Sequence, residues 1–339
     1  MKPLADLLRN VAVKQIIGAA EPGISSINYD SREAGPGSMF FAVKGTRVDG
    51  HSFIEQVISQ GANAIVCEVI PENIYNHVTY IQVEDSSYSS GIISANWFGN
   101  PSAKLKLVGI TGTNGKTTTV TLLFNLFRKL GYHVGLLSTI VNRIDDEIIP
   151  STHTTPDAWH LNQLLDQMIA KGCSYCFMEV SSHAIVQNRV AGLKFSGGIF
   201  SNITHDHLDF HKTFEEYLKA KKRFFDDLPP TAFALTNIDD RNGLVMLQNT
   251  KAEKHTYSLQ KMAEFKGRII ESPLDGLHLD LNGHETWCRL VGKFNGYNLL
   301  AVYAASILLQ QEEFEVLTIL SNLESVEGRF DYVKSPQGI

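Results

Sequence analysis

The spacing of hydrophobic residues changes repeatedly along this chain, between the short runs of a buried strand and the three- and four-residue spacing of an amphipathic helix. From Lys104 to about Tyr332 the two patterns alternate, which predicts a mostly parallel sheet with helices on both faces. Five strand candidates follow in order: LKLVGIT, YHVGLLST, YCFMEVSS, SGGIFSNI and TAFALTNIDD. Residues 251–291 contain shorter β pieces, GRIIES, GLHLDL and TWCRLVG, which we interpret as a hairpin insertion.

Residues 1–100 show a second, smaller set of the same patterns. SINYDSR, SMFFAVKG, NAIVCEV and VTYIQVED are strand candidates, and HSFIEQVISQGA and SSYSSGIISANWFG have helical spacing. The pair Asn100-Pro101 ends this region, as is typical of a boundary. We therefore predict an α/β protein with a small N-terminal α/β domain at 1–100. A central domain at 101–332 follows, in which helices flank a mostly parallel sheet, and residues 333–339 begin a linker.

Composition narrows the class of protein. The length of 339 residues agrees with two domains, and 43% hydrophobic with 19% charged residues is typical of a soluble globular protein. The net charge of −6 is spread without a basic block, so we expect neither nucleic acid nor an anionic membrane as a partner. No apolar run approaches the roughly 20 residues that span a bilayer. The N-terminus MKPLADLLRN lacks the apolar core of a signal peptide, and we expect a cytoplasmic, monomeric protein.

Cys173 and Cys176 form a C-x-x-C pair among the four cysteines of the chain. Such a pair can be a redox site or half of a zinc site. Here it leads into the strand candidate YCFMEVSS, and neither a second C-x-x-C nor a helix start accompanies it. We therefore interpret these two cysteines, like Cys67 and Cys288, as residues of the core.

A glycine-rich segment, GITGTNGKTTT, joins the first central strand candidate to the helical pattern TTTVTLLFNLFRKLG. This order of strand, turn and helix is typical of a phosphate-binding loop (P-loop), where backbone N–H groups and the positive end of the helix dipole meet one anion. Lys116 would reach the terminal phosphates, and the Thr117 hydroxyl would face Mg²⁺. Ile110 replaces the first glycine of the usual G-x-x-x-x-G-K-[ST] spacing, which leaves an ordinary strand-to-helix turn as the alternative.

Polar residues follow three further strand candidates of the central region. Glu179 and Ser181 end one strand, the loop 205–211 follows another, and an acidic pair after Asn237 ends a third. Ligands of open α/β sheets collect at the carboxyl ends of the strands. We therefore predict one cleft that holds a nucleotide, a metal ion and an acceptor substrate.

The loop THDHLDFH has several candidate roles. His205, His207 and Asp209 nearly form the H-x-H-x-D-H pattern of dinuclear metallohydrolases, but a phenylalanine stands where the last histidine belongs. Mg²⁺, in contrast, takes few protein ligands and keeps water and phosphate oxygens. Glu179 and His207 would serve such an ion beside Thr117. A loop of solvated histidines without a ligand is the remaining interpretation.

The helical segment TFEEYLKAKKRFFDDL places a lysine on its apolar face. Phe214, Leu218, Phe225 and Leu228 form that face, and Lys221 falls within it. An inward-facing lysine either extends its amine back to solvent or has a function. Burial lowers the pKa of an amine, and the neutral form reacts with electrophiles such as CO₂. Periodicity leaves both interpretations open.

Two other segments carry polar residues of undecided role. In SSHAIVQNRV, Arg189 follows the strand of Glu179 and is either a bidentate partner for a carboxylate or an ordinary surface residue. In the N-terminal region, Asp30, Ser31 and Arg32 lie on a loop and are candidates for capping local structure.

Several motifs occur here in the order found in one enzyme family. They are TGTNGKTTT, HTTPD, MEVSSHA followed by QNRV, NITHDHLD, the AK of YLKAKKRFF, NIDD and NGYNLLAVYAA, with DSR and FFAVKG near the N-terminus. Over nearly the whole chain they resemble the Mur ligase family, whose phosphate loop reads GTNGK[ST]. The resemblance implies an ATP- and Mg²⁺-dependent amide ligase of peptidoglycan precursor synthesis. Such a ligase would add a third amino acid, meso-diaminopimelate or lysine, to UDP-N-acetylmuramoyl-L-alanyl-D-glutamate.

The resemblance also implies roles for individual residues, with residues 1–100 binding the uridine nucleotide and residues 101–332 binding ATP. Those that would hold ATP are Gly112, Thr113, Asn114, Gly115, Lys116, Thr117, Thr118, Asn295, Asn298, Asp239 and Arg329. Those that would hold the UDP-linked dipeptide are Ser31, Thr154, Thr155, Ser181, Gln187 and Arg189. The implied Mg²⁺ ligands are Thr117, Glu179, His207 and Lys221 as a carbamate, and the implied catalytic residues are Lys116, Lys221 and His207.

The implied reaction has two steps and needs no protein nucleophile. The D-glutamyl carboxylate attacks the γ-phosphate of ATP to give an acyl phosphate, and the incoming amine then displaces phosphate. The family also has a C-terminal domain that selects the amino acid, and this sequence ends at GRFDYVKSPQGI, where that domain begins. We therefore expect a fragment that binds its substrates but ligates poorly. The alternatives are a folylpolyglutamate-type ligase, which leaves residues 1–100 unexplained, a metallohydrolase, and a nucleotide-binding module without chemistry.

Overall fold

A computed structural model of the chain describes residues 1–45, 48–151, 153–206 and 208–323, without the side chains of Leu208 and Asp209. The chain forms two compact units. Unit 1 comprises Met1–Ala103, Pro156–Asp166 and Val186–Leu193, and unit 2 comprises the rest of the described chain. The predicted domain ranges 1–100 and 101–332 stay predictions, and residues 333–339 lie outside the described residues.

Unit 1 is built on a five-stranded sheet. Its strands are β1 (Val13–Ile17), β2 (Ser26–Asn28), β3 (Ser38–Phe41), β4 (Ala64–Cys67) and β5 (Thr79–Val83). Its helices include α1 (Leu4–Leu7), α2 (Ile54–Ser59) and α3 (Ser86–Trp97), with 3-10 turns at Gly50–Phe53 and Pro101–Ala103. The strand order is β1-β5-β4-β3-β2, in which β1 is antiparallel to β5 and the other pairs are parallel.

Alternating side chains give this sheet a core on each face. Met39 and Phe41 of β3 enter one hydrophobic cluster and Phe40 enters the other, because successive side chains of a strand point to opposite faces. The strands predicted for the first hundred residues are confirmed. β1 was not predicted, since it is an edge strand with three consecutive exposed residues and shows no hydrophobic alternation.

Unit 2 contains an eleven-stranded sheet. Its strands are β6 (Lys106–Thr111), β7 (Val134–Leu137), β8 (Val141–Ile144), β9 (Glu147–Pro150), β10 (Tyr175–Glu179), β11 (Gly197–Phe200), β12 (Phe233–Asn237), β13 (Glu253–Ser258), β14 (Phe265–Glu271), β15 (Leu277–Leu281) and β16 (His284–Cys288). Their order is β16-β15-β14-β13-β12-β11-β6-β10-β7-β8-β9.

The strands from β14 to β7 pair in parallel, and antiparallel strands complete both edges. The predicted mostly parallel sheet is therefore confirmed. The hairpins expected in residues 251–291 are present, as the antiparallel pairs β14–β15 and β15–β16. Their interpretation as an insertion was wrong, because β13 and β14 continue the parallel part of the same sheet. The β8–β9 hairpin was not predicted, since its turn is made by two aspartates, with Asp145 at a φ of 51°, and lacks an Asn-Gly signal.

The remaining helices are α4 (Lys116–Lys129), α5 (Ala158–Ala170), α6 (Ser182–Val186), α7 (Leu208–His211), α8 (Phe214–Asp226), α9 (Gly243–Met246), α10 (Lys293–Leu308) and α11 (Glu313–Ser321). Buried side chains of α4 and α10 share a hydrophobic cluster with Val108 and Ile110 of β6. Helix α8 packs on the opposite face, where Phe225 meets Phe200 of β11 edge to face. Helices thus cover both faces of the sheet, as predicted.

Two glycines set how closely α8 approaches the sheet. A Cβ atom at Gly109 of β6 would lie 2.7 Å from Phe224 of α8, and one at Gly198 of β11 would lie 2.9 Å from the same side chain. Both distances are shorter than a carbon–carbon contact allows. The bare backbone at these positions lets α8 lie directly against β6, which leads into the phosphate loop, and against its neighbour β11.

All four cysteines are buried free thiols, which confirms them as core residues. Burial raises the pKa of Cys67, Cys173 and Cys288 to about 12, so none of these three is a reactive thiolate near neutral pH. None of the helices in the described ranges combines the length and apolar character that crossing a membrane requires.

Candidate active site

The segment between β6 and α4 adopts a conformation that only glycine permits at two positions. Gly112 has a φ of 150° and Gly115 a φ of 86°. A Cβ atom would lie 1.9 Å from Ser201 Oγ at Gly112 and 2.5 Å from Asn298 Oδ1 at Gly115. Both glycines are therefore required by close contact as well as by backbone angle. This arrangement of strand, tight loop and helix start matches the predicted phosphate loop.

The end of the neighbouring strand β11 holds this loop in place. Thr113 N donates to Asn202 O at 2.8 Å, and Asn114 N donates to Asn202 Oδ1 at 3.0 Å. Ser201 Oγ donates to Asn114 O at 2.6 Å. Sequence analysis did not single out Ser201 or Asn202. The one feature that could have identified them is their position directly after β11, the strand that lies beside β6 in the sheet.

Lys116 begins α4 and its side chain folds back over the loop. Its Nζ donates to Gly112 O at 3.0 Å and to Thr113 O at 2.9 Å. A half-buried ammonium therefore lies over the loop backbone, at the positive end of a 14-residue helix. This is an electrostatic setting that favours a bound phosphate group.

Glu179 ends β10 beside the loop, because β10 pairs in parallel with β6 and Glu179 lies opposite Ile110. Its carboxylate is 1% exposed and accepts hydrogen bonds from Thr117 Oγ1 at 2.8 Å, Thr139 N at 2.8 Å and Thr139 Oγ1 at 3.2 Å. Carboxylate and hydroxyl oxygens at this spacing are the ligand type that Mg²⁺ prefers.

Lys221 of α8 is 1% exposed, and its Nζ donates to Gly112 O at 2.8 Å. Two amines, those of Lys116 and Lys221, therefore meet at one loop carbonyl. Burial and the positive charge of Lys116 lower the pKa of Lys221 well below its usual value, against a smaller opposite effect of Asp206. Burial therefore shifts Lys221 toward its neutral form, relative to an exposed lysine.

The apolar face predicted for α8 needs a correction. Its buried residues are Tyr217, Ala220, Lys221, Phe224 and Phe225. Phe214 and Leu218 are only half-buried, because the first turn of the helix lies near the surface. The inward position of Lys221, on which the prediction depended, is retained.

A cavity of about 420 Å³ adjoins the loop and the start of α10. Its walls are formed by Asn114, Gly115, Thr118, Ser201, Asn202, Thr204, Asn237, Leu290, Val291, Phe294, Asn295, Tyr297 and Asn298. Asn298 Nδ2 donates to Asn295 Oδ1 at 2.9 Å, and Asn295 Nδ2 donates to Val291 O at 2.8 Å. The cavity combines amide groups with apolar and aromatic side chains, which suits a nucleoside. Asp239 is not among the wall residues, since its carboxylate accepts from Ser258 Oγ, Leu259 N and Gln260 N.

Thr154, Thr155 and Ser181 lie close to Glu179 in unit 2. Thr155 is 1% exposed and its Oγ1 donates to Glu179 O at 2.8 Å, while Ser181 N donates to Thr155 Oγ1 at 3.2 Å. Thr139 Oγ1 and Thr154 Oγ1 lie 3.1 Å apart, within hydrogen-bond distance. The predicted substrate residues of this unit therefore share one hydrogen-bonded network with the buried carboxylate.

Ser31, Gln187 and Arg189 belong to unit 1. Ser31 is 9% exposed and lies between Asp30 and Arg32, whose side chains pair with each other. Arg189 donates from Nε and Nη2 to Gln187 Oε1 at 3.0 and 2.6 Å. Burial lowers the pKa of Arg189. The two predicted substrate residues of the QNRV segment are thus held together.

The histidine loop is described in part. His205 is exposed and its ring lies 5.0 Å from that of Phe214. His207, the side chain of Asp209, and Arg329 lie outside the described residues, so the structure leaves the roles predicted for them untested. His211, which was not predicted as a site residue, is 4% exposed and lies 2.8 Å, Nε2 to Oγ, from Ser182.

Two family signatures match this sequence. The Mur ligase middle domain matches residues 110–306, which is more than half of the chain, and the Mur ligase family catalytic domain matches residues 23–97. The chain belongs to the Mur ligase family.

Named relatives of this Mur ligase cover nearly all of its length. The UDP-N-acetylmuramoyl-L-alanyl-D-glutamate–2,6-diaminopimelate ligase of Phocaeicola vulgatus is 55% identical, over 99% of this chain and 69% of that protein. Ligase 1 of the same name from Clostridium acetobutylicum is 39% identical, over 97% of this chain and 68% of that protein. These similarities give no support to the expectation that ligation by this chain is poor.

Solved structures show the same fold. A structure of a UDP-N-acetylmuramoyl-L-alanyl-D-glutamate–2,6-diaminopimelate ligase has a TM-score of 0.83 and 24% identity, over 92% of this Mur ligase and 65% of that chain. The present chain thus spans slightly less than two thirds of that solved chain. MurF ligase from Thermotoga maritima, in complex with ADP, has a TM-score of 0.60 and 21% identity, over 91% of this chain and 68% of that chain. The α/β fold predicted from the sequence is confirmed by these similarities.

Proposed function

We propose that this Mur ligase adds meso-diaminopimelate to UDP-N-acetylmuramoyl-L-alanyl-D-glutamate, with ATP as energy source and Mg²⁺ as cofactor. The observation that carries the proposal is that five relatives, 53–56% identical over 97–99% of this chain, bear the name of a ligase of these two substrates. The convergence of Lys116, Glu179 and Lys221 on one phosphate loop supports it.

In the proposed reaction the chain binds and orients two anions that repel each other. The D-glutamyl carboxylate oxygen attacks the γ-phosphorus of ATP, the bond from that phosphorus to the β,γ-bridging oxygen breaks, and ADP leaves with the electron pair. The amine nitrogen of diaminopimelate then attacks the acyl carbon, phosphate leaves, and the amine loses a proton. Lys116 would neutralise the charge that spreads over the transferred phosphoryl group.

Mg²⁺ would be held by the Thr117 hydroxyl and the Glu179 carboxylate, with His207 as a further proposed ligand. The Thr117–Glu179 hydrogen bond, 2.8 Å long, places two oxygen donors beside the phosphate loop, and the fit of such a pair to a hard cation supports the assignment. When bound, the ion supplies positive charge that shields the phosphate oxygens from the incoming carboxylate.

Lys221 is proposed to act as its carbamate. Its neutral amine attacks CO₂, the carbon–nitrogen bond forms as one C=O π bond opens onto oxygen, and the nitrogen loses a proton to solvent, so that an uncharged amine becomes an anion. Burial, which favours the neutral amine, supports this chemistry. The carbamate would provide a further oxygen ligand beside the loop carbonyl of Gly112.

The remaining predicted residues keep their roles in the proposal. Gly112, Thr113, Asn114, Gly115 and Thr118 would hold the phosphates of ATP, Asn295 and Asn298 would face its nucleoside, and Asp239 and Arg329 would lie nearby. Ser31, Thr154, Thr155, Ser181, Gln187 and Arg189 would hold the UDP-linked dipeptide. We also propose a monomer that acts in the cytoplasm, where ATP is supplied, without nucleic acid or membrane partners.

The function is tested by incubating the chain with ATP, MgCl₂, UDP-N-acetylmuramoyl-L-alanyl-D-glutamate and meso-diaminopimelate, and by measuring the tripeptide product by mass spectrometry and phosphate release. We expect phosphate release to require both ATP and the UDP-linked dipeptide. Hydroxylamine in place of diaminopimelate should give a hydroxamate, which reports the acyl phosphate. ATP-independent hydrolysis, or turnover of a folate substrate instead, would contradict the proposal.

Replacing Glu179 with glutamine is expected to raise the Mg²⁺ concentration for half-maximal activity by about 10- to 100-fold, the usual effect of disturbing a metal ligand shell. The variant keeps the shape and an oxygen acceptor for Thr117 and Thr139 but loses the negative charge. A magnesium titration of the initial rate measures the effect. Asp226→Asn, which removes a carboxylate paired with Lys222 on α8, serves as control and should leave the titration unchanged. Equal titrations for the Glu179 variant and the parent would contradict the assignment.

A further inference from the structure

Tyr217 of α8 lies between the phosphate loop and the buried amine of Lys221. Its side chain is fully buried, and its hydroxyl lies 3.1 Å from Thr113 Oγ1, within hydrogen-bond distance. Thr113 Oγ1 also accepts a hydrogen bond from Thr204 N at 3.0 Å. The phenol is therefore joined, through one threonine hydroxyl, to both the phosphate loop and the start of the histidine loop.

The ring of Tyr217 makes a second set of contacts. Lys221 Nζ lies 4.6 Å from the ring centroid, and the ring of His211 lies 5.0 Å from it. Tyr217 and Lys221 are four residues apart on α8, so their side chains are neighbours on one face of the helix. His211 in turn pairs with Ser182, one residue beyond the Ser181 of the substrate network.

Helix α8 thus reaches two consecutive residues of the phosphate loop. Lys221 holds the carbonyl of Gly112, and Tyr217 holds the side chain of Thr113. Lys116 also donates to the carbonyls of these two residues, and it must give up these hydrogen bonds to reach a phosphate group. The hydrogen bond between Tyr217 and the Thr113 side chain uses neither the loop carbonyls nor the Lys116 amine, so it can persist while ATP is bound.

We propose that Tyr217 is a positioning residue for ATP, which fixes the phosphate loop relative to Lys221 through the Thr113 hydroxyl. This inference rests on the proposed function and adds a residue to it. The tyrosine does not touch the reacting atoms; it acts through Thr113. The phenol hydroxyl can both donate and accept a hydrogen bond, so it can pair with the Thr113 hydroxyl in either direction.

The test is Tyr217→Phe in the full chain, which keeps the ring and removes the hydroxyl. A neutral hydrogen bond typically contributes a factor of about two to ten, so we expect the KM for ATP to rise by about three- to tenfold. The KM for the UDP-linked dipeptide should stay within about twofold, since the contacts of Tyr217 described above are with Thr113, Lys221 and His211.

Tyr303→Phe is the matched control. Tyr303 is also buried, and its hydroxyl bonds Glu313 between α10 and α11, away from the loop. Both variants should lower Tm by a similar amount, and only Tyr217→Phe should raise the KM for ATP. If both KM values of Tyr217→Phe change together with Tm, or if the KM for ATP equals that of the parent, the inference is overturned.

A double-mutant cycle with Thr113→Val separates positioning from packing. If Tyr217 acts through the Thr113 hydroxyl, the double variant should have the KM for ATP of Thr113→Val alone. If the KM for ATP of the double variant instead rises by the product of the two single fold-changes, the two residues act independently and the inference is contradicted. ADP affinity, measured by calorimetry on the same variants, gives the same comparison without turnover. If the parent chain shows no ligase activity, the proposed function is refuted. The Tyr217 inference is then decided by ADP affinity alone, which should fall in Tyr217→Phe and stay at the parent value in Tyr303→Phe.

Discussion

Lys116→Met should reduce the ATP-dependent rate of this ligase by at least about a thousandfold, the scale seen when a group that stabilises phosphoryl-transfer charge is removed. Methionine fills the same space without a charge, and the Lys116 ammonium is the cation that lies over the loop at the start of α4. The phosphate loop should keep its conformation, because Ser201 and Asn202 anchor it independently of Lys116. Initial rates at saturating ATP measure the effect.

Lys106→Met is the matched control for this loss of charge. Lys106 is exposed and lies at the beginning of β6, on the strand that leads into the loop. We expect its replacement to change the rate by less than about twofold, as is usual for exposed sites. A Lys116 variant that retains a tenth or more of the parent activity would show that another group neutralises the transferred phosphate.

Lys221→Met should lower the rate by about 10²–10³-fold and at the same time stabilise the fold. The carbamate cannot form on methionine, and the Gly112 carbonyl keeps Lys116 as its donor. Removing this amine should raise the free energy of unfolding by about 1 kcal/mol, since the cost of burying the amine exceeds the gain from its hydrogen bond to the Gly112 carbonyl. Thermal unfolding in bicarbonate-free buffer, beside initial rates in bicarbonate, measures both effects.

The stabilisation by Lys221→Met should depend on pH in a defined direction. The pKa of Lys221 is lower in the folded than in the unfolded chain, so between the two values the unfolded state binds more protons and the parent gains stability as the pH rises. The difference in Tm between variant and parent should therefore shrink from about pH 7 to about pH 10. The exposed Lys219, which pairs with Glu215, provides the control Lys219→Met with no such trend. A difference that grows with pH would contradict a depressed pKa.

The order of strands and helices could be predicted because most central strands are buried on both faces and form continuous apolar runs. Phe233–Asn237 and Tyr175–Glu179, for example, are almost entirely buried. The exceptions were edge strands. Val13–Ile17 and Glu147–Pro150 expose most of their side chains, so their conformation follows from pairing with a neighbour rather than from their own pattern.

The candidate site could be predicted where chemistry and position in the sequence coincide. Lys116 follows a glycine turn, Glu179 ends a strand, and Lys221 interrupts an apolar face. Thr139 and Tyr217 could not be found in this way, because their contacts join residues 40 and 104 positions apart in the chain. Their roles depend on the packing of α8 and on the order β11-β6-β10-β7, which periodicity does not specify.

Two glycines of the sheet, Gly109 and Gly198, allow α8 to bring the Lys221 amine close to the phosphate loop. At these two positions α8 packs against bare backbone, and the methyl group of an alanine would clash with its side chains and push the helix away from the sheet. The geometry around Lys221 therefore depends on two positions that bear no functional group.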